Sequence, residues 1–142
     1  MRFMIFRMAD KKTEAGVMPG EELLNKMGKY MEEMANAGIL LGGEGLQPTS
    51  KGARIRFSGG KPTVIDGPFM ETKEVVGGYL MIQVKSKDEA IEWMKRWPGL
   101  EGDGAVELQV RQVFEAEDFG PEFTPEARER EERLREQISQ KK

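Results

Sequence analysis

Two residue types are missing from this chain of 142 residues: it has no cysteine and no histidine. Without cysteine there are no disulfides and no thiolate metal sites, and an intracellular, reducing location fits. Without histidine, the usual general base near neutral pH and the commonest metal ligand are both gone. A dominant charge is lacking too. Lys and Arg number 22 against 25 Asp and Glu, which leaves −3 with the signs interspersed. No strong basic field exists, so nucleic acid is not an expected partner. Long apolar runs are also absent. The stretch Met1 to Phe6 is too short for a signal peptide or a membrane span, so no membrane partner is expected and a cytoplasmic location is.

What is present suits one domain with one core, since 38% of the residues are hydrophobic. Phe3 to Phe6 is continuously apolar between Arg2 and Arg7 and reads as a strand covered on both faces. A polar stretch follows from Asp10 to Gly20. Leu23, Met27, Tyr30, Met31 and Met34 then recur at helical spacing, which predicts a helix from about Glu21 to Ala37, ended by Gly38. Ile39-Leu40-Leu41 begins a second strand, read as broken up by Gly42-Gly43-Glu44-Gly45. Arg54 to Phe57 and Thr63 to Ile65 flank a Gly59-Gly60 turn as a hairpin. Asp66 to Gly77 reads as a long loop and Gly78 to Lys85 as a strand. Ser86-Lys87-Asp88-Glu89 has capping-box spacing and opens a second helix that Pro98-Gly99 stops. Val106, Leu108 and Val110 alternate in a last strand. The order is β-α-β-(β hairpin)-α-β, an α+β sandwich of ferredoxin-like layout. Its second sheet face is left uncovered within one chain, and the simplest cover is a second copy, a homodimer. The expected domain spans residues 1–118. Residues 119–142 form a charged tail with a solvated Glu/Arg helix over 126–140.

The residues richest in chemistry surround Asp66-Gly67-Pro68-Phe69. Asp66 can accept from backbone amides two or three residues on, closing an Asx-type turn, while Pro68 aims Phe69 at the core. Glu71, Lys73 and Glu74 follow in the same loop, and loops on rigid scaffolds often carry binding groups. Glu44 sits among glycines, where a ligand could approach closely. Arg111 shares a face of the last strand with Glu107 and Gln109. Asp66 and Glu44 are therefore the candidate catalytic acids or bases. Glu71, Lys73, Glu74 and Arg111 are the candidate ligand-binding residues. A metal would have only carboxylates to bind, at no recognised calcium-loop spacing, so neither a metal nor a cofactor is expected. The glycine clusters precede strand rather than helix and do not form a phosphate cradle.

The run from Val64 to Tyr79 resembles the hallmark of the DGPF-domain branch of the YCII-related proteins. Gly43-Glu44-Gly45-Leu46 is similar to that family's Gly-Glu-x-Leu element, and the resemblance covers about residues 1–115. It implies a dimeric α+β barrel of ferredoxin-like halves. It implies little about activity, although some members are encoded beside or fused to sigma factors. The chain also departs from the family. The His-Asp pair proposed for the best-known branch cannot be present here. The family's Glu-x-Arg-Pro ending of the last strand reads Gln109-Val110-Arg111-Gln112. Two functions follow as expectations. One is a binder of a small polar ligand near the DGPF loop, acting as a cofactor-free enzyme or simply holding it. The other is a non-enzymatic regulatory module with a transcription-factor partner that the charged tail would contact. Beside them stands a third reading, in which the DGPF residues only fix the fold.

Overall fold

Alternation in the first strand sets the frame. In β1 (Arg2–Met8), Phe3, Ile5 and Arg7 are buried, while Arg2, Met4 and Phe6 are half-buried on the other face. The computed structural model describes residues 1–71, 74–99 and 104–140. After β1 comes a short helix, α1 (Lys11–Glu14), in a stretch where polarity alone predicts no element. Asp10 and Thr13 close it as a reciprocal capping box. The Thr13 amide donates to Asp10 Oδ1 at 2.8 Å, and the Asp10 amide donates to Thr13 Oγ1 at 2.9 Å. Helix α2 (Glu21–Asn36) places Tyr30 and Met34 inward and is followed by Gly38, whose φ of 76° lies in the left-handed region that favours glycine.

Strand β2 (Leu40–Gly45) is next, followed by the hairpin β3 (Ala53–Ser58) and β4 (Lys61–Asp66). Strand β5 (Val76–Gln83), helix α3 (Lys87–Met94) and strand β6 (Leu108–Gln112) complete the layout. Ser86 caps α3, accepting from the Glu89 amide at 3.1 Å, and Glu89 reaches back to the Lys85 amide at 2.7 Å. The main sheet has four strands in the order β2-β5-β1-β6, with every neighbouring pair antiparallel. That is the ferredoxin-like order, with the β3-β4 hairpin as a separate two-stranded sheet.

The core lies between one sheet face and the helices. Phe3, Ile5, Leu80 and Ile82 meet Tyr30, Met34, Ala90 and Met94. Phe3, Ile5, Met34 and Ile82 are the largest fully buried side chains, each stabilising by about 1.5–3 kcal/mol. The Tyr30 hydroxyl donates to the Trp93 carbonyl at 2.6 Å, and burial pushes its pKa up to about 12.

Three expectations need correction. The dimeric α+β barrel is replaced by an open sheet: among the described residues β2 and β6 are edge strands, and four strands do not close on themselves. The glycines after Leu41 do not break the second strand; Gly42, Gly43 and Gly45 belong to it and pair with Met81, Leu80 and Gly78, with a register shift between Leu40 and Gly42. Phe69 is half-buried rather than a core plug, with the Arg54 guanidinium 4.1 Å above its ring.

The chain divides into two compact units, Met1–Gln112 and Val113–Lys142. In the second, Phe114, Phe119 and Phe123 stack with centroids 5.2 and 5.3 Å apart. Helix α4 (Pro125–Ser139) follows, capped by Thr124 and laced by ion pairs such as Glu131–Arg135 at 2.8 Å. No helix among the described residues is long and apolar enough to cross a membrane.

Candidate functional site

Glycine clears the ground for a cavity. Cross-strand partners share a sheet face, so the register makes one row of Gly45, Gly78, Arg7 and Leu108, on the helix-covered side. The next row is Gly43, Leu80, Ile5 and Val110. Where the other rows carry Leu, Ile and Phe, the Gly45–Gly78 end carries no side chain. The space left is a cavity of about 300 Å³. Met27, Met31 and Trp97 wall it, the Gly43–Gly45 and Gly77–Gly78 backbone floors it, and Arg7 closes one side. A Cβ built on Gly45 meets nothing within 4 Å, so that position opens into free space. A Cβ on Gly43 would stand 2.8 Å from the Tyr79 carbonyl oxygen and 2.5 Å from Leu80 Cδ2.

Arg7 is the buried charge of this half of the sheet, only 6% exposed. Its guanidinium donates to Thr13 Oγ1 and to Asp10 Oδ2, both at 3.4 Å, so the α1 capping box is also the cradle of Arg7. The Asp10 carboxyl is held below the ordinary carboxylate range. The Thr13 amide contributes most to that lowering, partial burial opposes it, and the Arg7 charge and the Thr13 hydroxyl add to it. Arg7 also lines a second cavity of about 360 Å³, with Asp10, Lys11 and Glu107. A guanidinium presents five N–H donors in a plane, so one Arg can hold its own chain and still address a ligand. In an apolar setting such charge-assisted bonds are the strong ones.

The DGPF residues are organised from outside the motif. Asp66 ends β4, exposed and opposite Ala53. The expected Asx turn is replaced by bonds to the Thr49 region. The Phe69 amide donates to Thr49 Oγ1 at 2.9 Å, and the Gly67 amide to the Gly52 carbonyl at 3.0 Å. A Cβ on Gly67 would lie 1.7 Å from the Thr49 carbonyl oxygen, so only glycine fits. The Gly67–Pro68 peptide is cis. Thr49 is itself buried and gripped by Glu14 of α1. Its amide donates to Glu14 Oε1 at 3.0 Å and its hydroxyl to Glu14 Oε2.

The residues singled out in the sequence do not converge. Glu44 is exposed on edge strand β2, and it lines the 300 Å³ cavity. Arg111 is exposed on the opposite edge strand, β6, where it faces Met4. Three strand spacings separate those edges, about 14 Å. Glu71 and Glu74 are exposed, with the Glu74 amide donating to the Glu71 carbonyl at 3.0 Å. Lys73 lies outside the described residues. Sequence reading missed Arg7, which it took only as the polar end of an apolar strand. The signal was available: Phe3, Ile5 and Arg7 fall at i, i+2 and i+4, on one strand face. Among the described residues no group of three or more acidic, histidine or cysteine side chains is placed to hold a metal.

The strand order and the helix-covered face define a ferredoxin-like α+β domain with a cleft at one end of its sheet. The chain belongs to the YCII-related family, whose domain profile matches residues 1–116. An uncharacterized protein of Rhizobium meliloti (strain 1021) is 35% identical over 75 residues, 53% of this chain. The chain spans 60% of the length of that relative. Among solved structures, a 5-chloro-2-hydroxyhydroquinone dehydrochlorinase from Burkholderia phenoliruptrix AC1100, in complex with 2,5-dihydroxybenzoquinone, is similar at a TM-score of 0.42. It is 14% identical, and the match covers 84% of this chain and all of that one.

Proposed function

We propose that this protein, a member of the DGPF branch of its family, binds a small molecule with an anionic group on an apolar body. The ligand would occupy the glycine-floored cavity, its anion at Arg7 and its body against Met27, Met31 and Trp97. The observation that carries this reading is the placement of Arg7, a guanidinium 6% exposed at the wall of a space that Met27, Met31, Leu80 and Trp97 make largely apolar. Small-molecule sites run from roughly 300 to 1,000 Å³, so the cavity suits a ligand of modest size. In the catalytic form of the reading no cofactor takes part, and Glu44 moves the proton by reaching round edge strand β2, since strand alternation sets its side chain on the face opposite Gly43 and Gly45. Asp66, Glu71, Lys73 and Glu74 of the DGPF loop and Arg111 of β6 would act on the ligand's approach, through the field they set up.

The test is thermal unfolding with benzoate and hexanoate beside their neutral counterparts, benzyl alcohol and hexanol. The carboxylates should raise Tm and the alcohols should not. Gly45→Leu, which fills the cavity from a position with free space, should abolish the rise. Equal shifts from acids and alcohols, or a shift that survives Gly45→Leu, would refute the reading.

A second reading has its own observation. Unit Val113–Lys142 carries Leu134 and Ile138 exposed on α4, four residues apart on one helix face. That stripe would serve the regulatory role, contacting a transcription-factor partner of the sigma type. Truncation after Gln112 with unchanged retention of such a partner would remove it.

A further inference from the structure

We propose that Glu14 and Thr49 are positioning residues for Arg7, and that the DGPF loop is the outer part of the latch that sets it. The inference rests on Arg7 being the anion anchor of the cavity, as proposed above.

The contacts form one path. Arg7 leaves β1 and is met by Thr13 and Asp10, the two side chains that cap α1. Only four residues long, α1 has no buried residue of its own. A helix this short is not stable by itself and takes its place from tertiary contacts. Besides Arg7 itself, one contact the structure supplies is Glu14, at the end of α1, whose two carboxylate oxygens take the amide and the hydroxyl of Thr49. Thr49 is held in turn by the motif: its hydroxyl oxygen accepts from the Phe69 amide, and its carbonyl lies against Gly67, where any Cβ would collide with it. Phe69 is covered by Arg54 of the hairpin. The motif therefore fixes Thr49, Thr49 fixes Glu14, and Glu14 fixes the turn that carries Asp10 and Thr13. None of Glu14, Thr49, Gly67 and Phe69 lines the cavity. Their effect on a ligand would pass through the orientation of one guanidinium.

A role confined to stability makes a different forecast, and three variants separate the two. Thr49→Val keeps the shape and removes the hydroxyl, Thr49→Ser keeps the hydroxyl, and Glu14→Gln replaces one acceptor oxygen by a donor. The readouts are the Nε–H resonance of Arg7 in ¹⁵N–¹H spectra, the benzoate Kd and Tm. We expect Thr49→Val to shift or broaden the Arg7 resonance and to weaken benzoate by about three- to tenfold, the usual size of coupling through a contact network. Thr49→Ser should restore both. If Thr49→Val does not fold, Glu14→Gln carries the same comparison. A lower Tm with the Arg7 resonance unchanged would overturn the proposal and leave a structural latch. If benzoate fails to bind the wild type, the ligand reading falls on its own, and the Arg7 resonance still decides whether the latch positions the guanidinium.

Discussion

Gly67 and the Gly42–Gly45 segment use the missing side chain for opposite ends. At Gly67 the chain is glycine because another backbone is already there: the Thr49 carbonyl oxygen occupies the place of a Cβ, 1.7 Å away. At Gly45 the chain is glycine and nothing is there, since a Cβ would meet no atom within 4 Å. The first region converts the absence of a side chain into contact, the second into volume. Contact is a matter of stability, so the first should be sensitive to a single methyl. Volume is a matter of what else can enter, so the second should tolerate that methyl in the folding equilibrium and register it in binding.

The largest effect is expected at Gly67. Gly67→Ala should cost about 3–5 kcal/mol, because the obstacle is backbone and cannot rotate away. Urea unfolding checks it, and a loss below about 1 kcal/mol would break the comparison at its firm end. Gly43 is intermediate. Its imagined Cβ meets the tip of Leu80, which can move, and the Tyr79 carbonyl at 2.8 Å, which cannot. Gly43→Ala should cost about 1–3 kcal/mol in the same measurement. Gly45→Ala should change stability by no more than about 0.5 kcal/mol, or raise it slightly through the lower entropy of the unfolded chain. A large loss there would refute the open space that the strand register leaves at Gly45.

The smallest effect belongs to Asp10, whose carboxyl titrates below its ordinary value of 3.8 because the folded state hydrogen-bonds and pairs its charged form. A lowered folded pKa means that its stabilisation is complete above that ordinary value and is lost as pH falls through the folded one. Asp10→Asn should therefore leave the acid limb of a stability-against-pH curve shallower below about pH 4. Above it, the variant should be uniformly less stable. Curves of identical shape would show that Asp10 contributes nothing through its charge.

Periodicity made much of this fold legible. The apolar stripe of α2, the Ser86 cap of α3, the hairpin and the alternating strands all announce themselves by spacing, and the structure has them within a few residues. What spacing could not show was the meaning of glycine. Gly42 to Gly45 reads as an interruption because glycine has no hydropathy pattern, yet backbone pairing does not require a side chain. Helix α1 was hidden for a related reason: four polar residues have no apolar stripe, and only the Asp10–Thr13 pair marks its start. The motif was legible as a motif but not in its workings, because Thr49 lies 20 residues before Phe69 and Glu14 a further 35 before Thr49. Arg7 was overlooked because charge at the end of an apolar run looks like a boundary. Its strand parity placed it among Phe3 and Ile5 all along.

Arg7 lines both the 300 Å³ cavity and the 360 Å³ cavity beside Lys11 and Glu107. Two spaces that share a single guanidinium cannot be titrated independently. An occupant that draws the side chain towards one of them changes the field and the donors offered to the other, and linkage makes that influence equal in both directions. With the ligand proposed above bound at Arg7, the strand end would act as a junction: an anion on one side would report on what sits at the other.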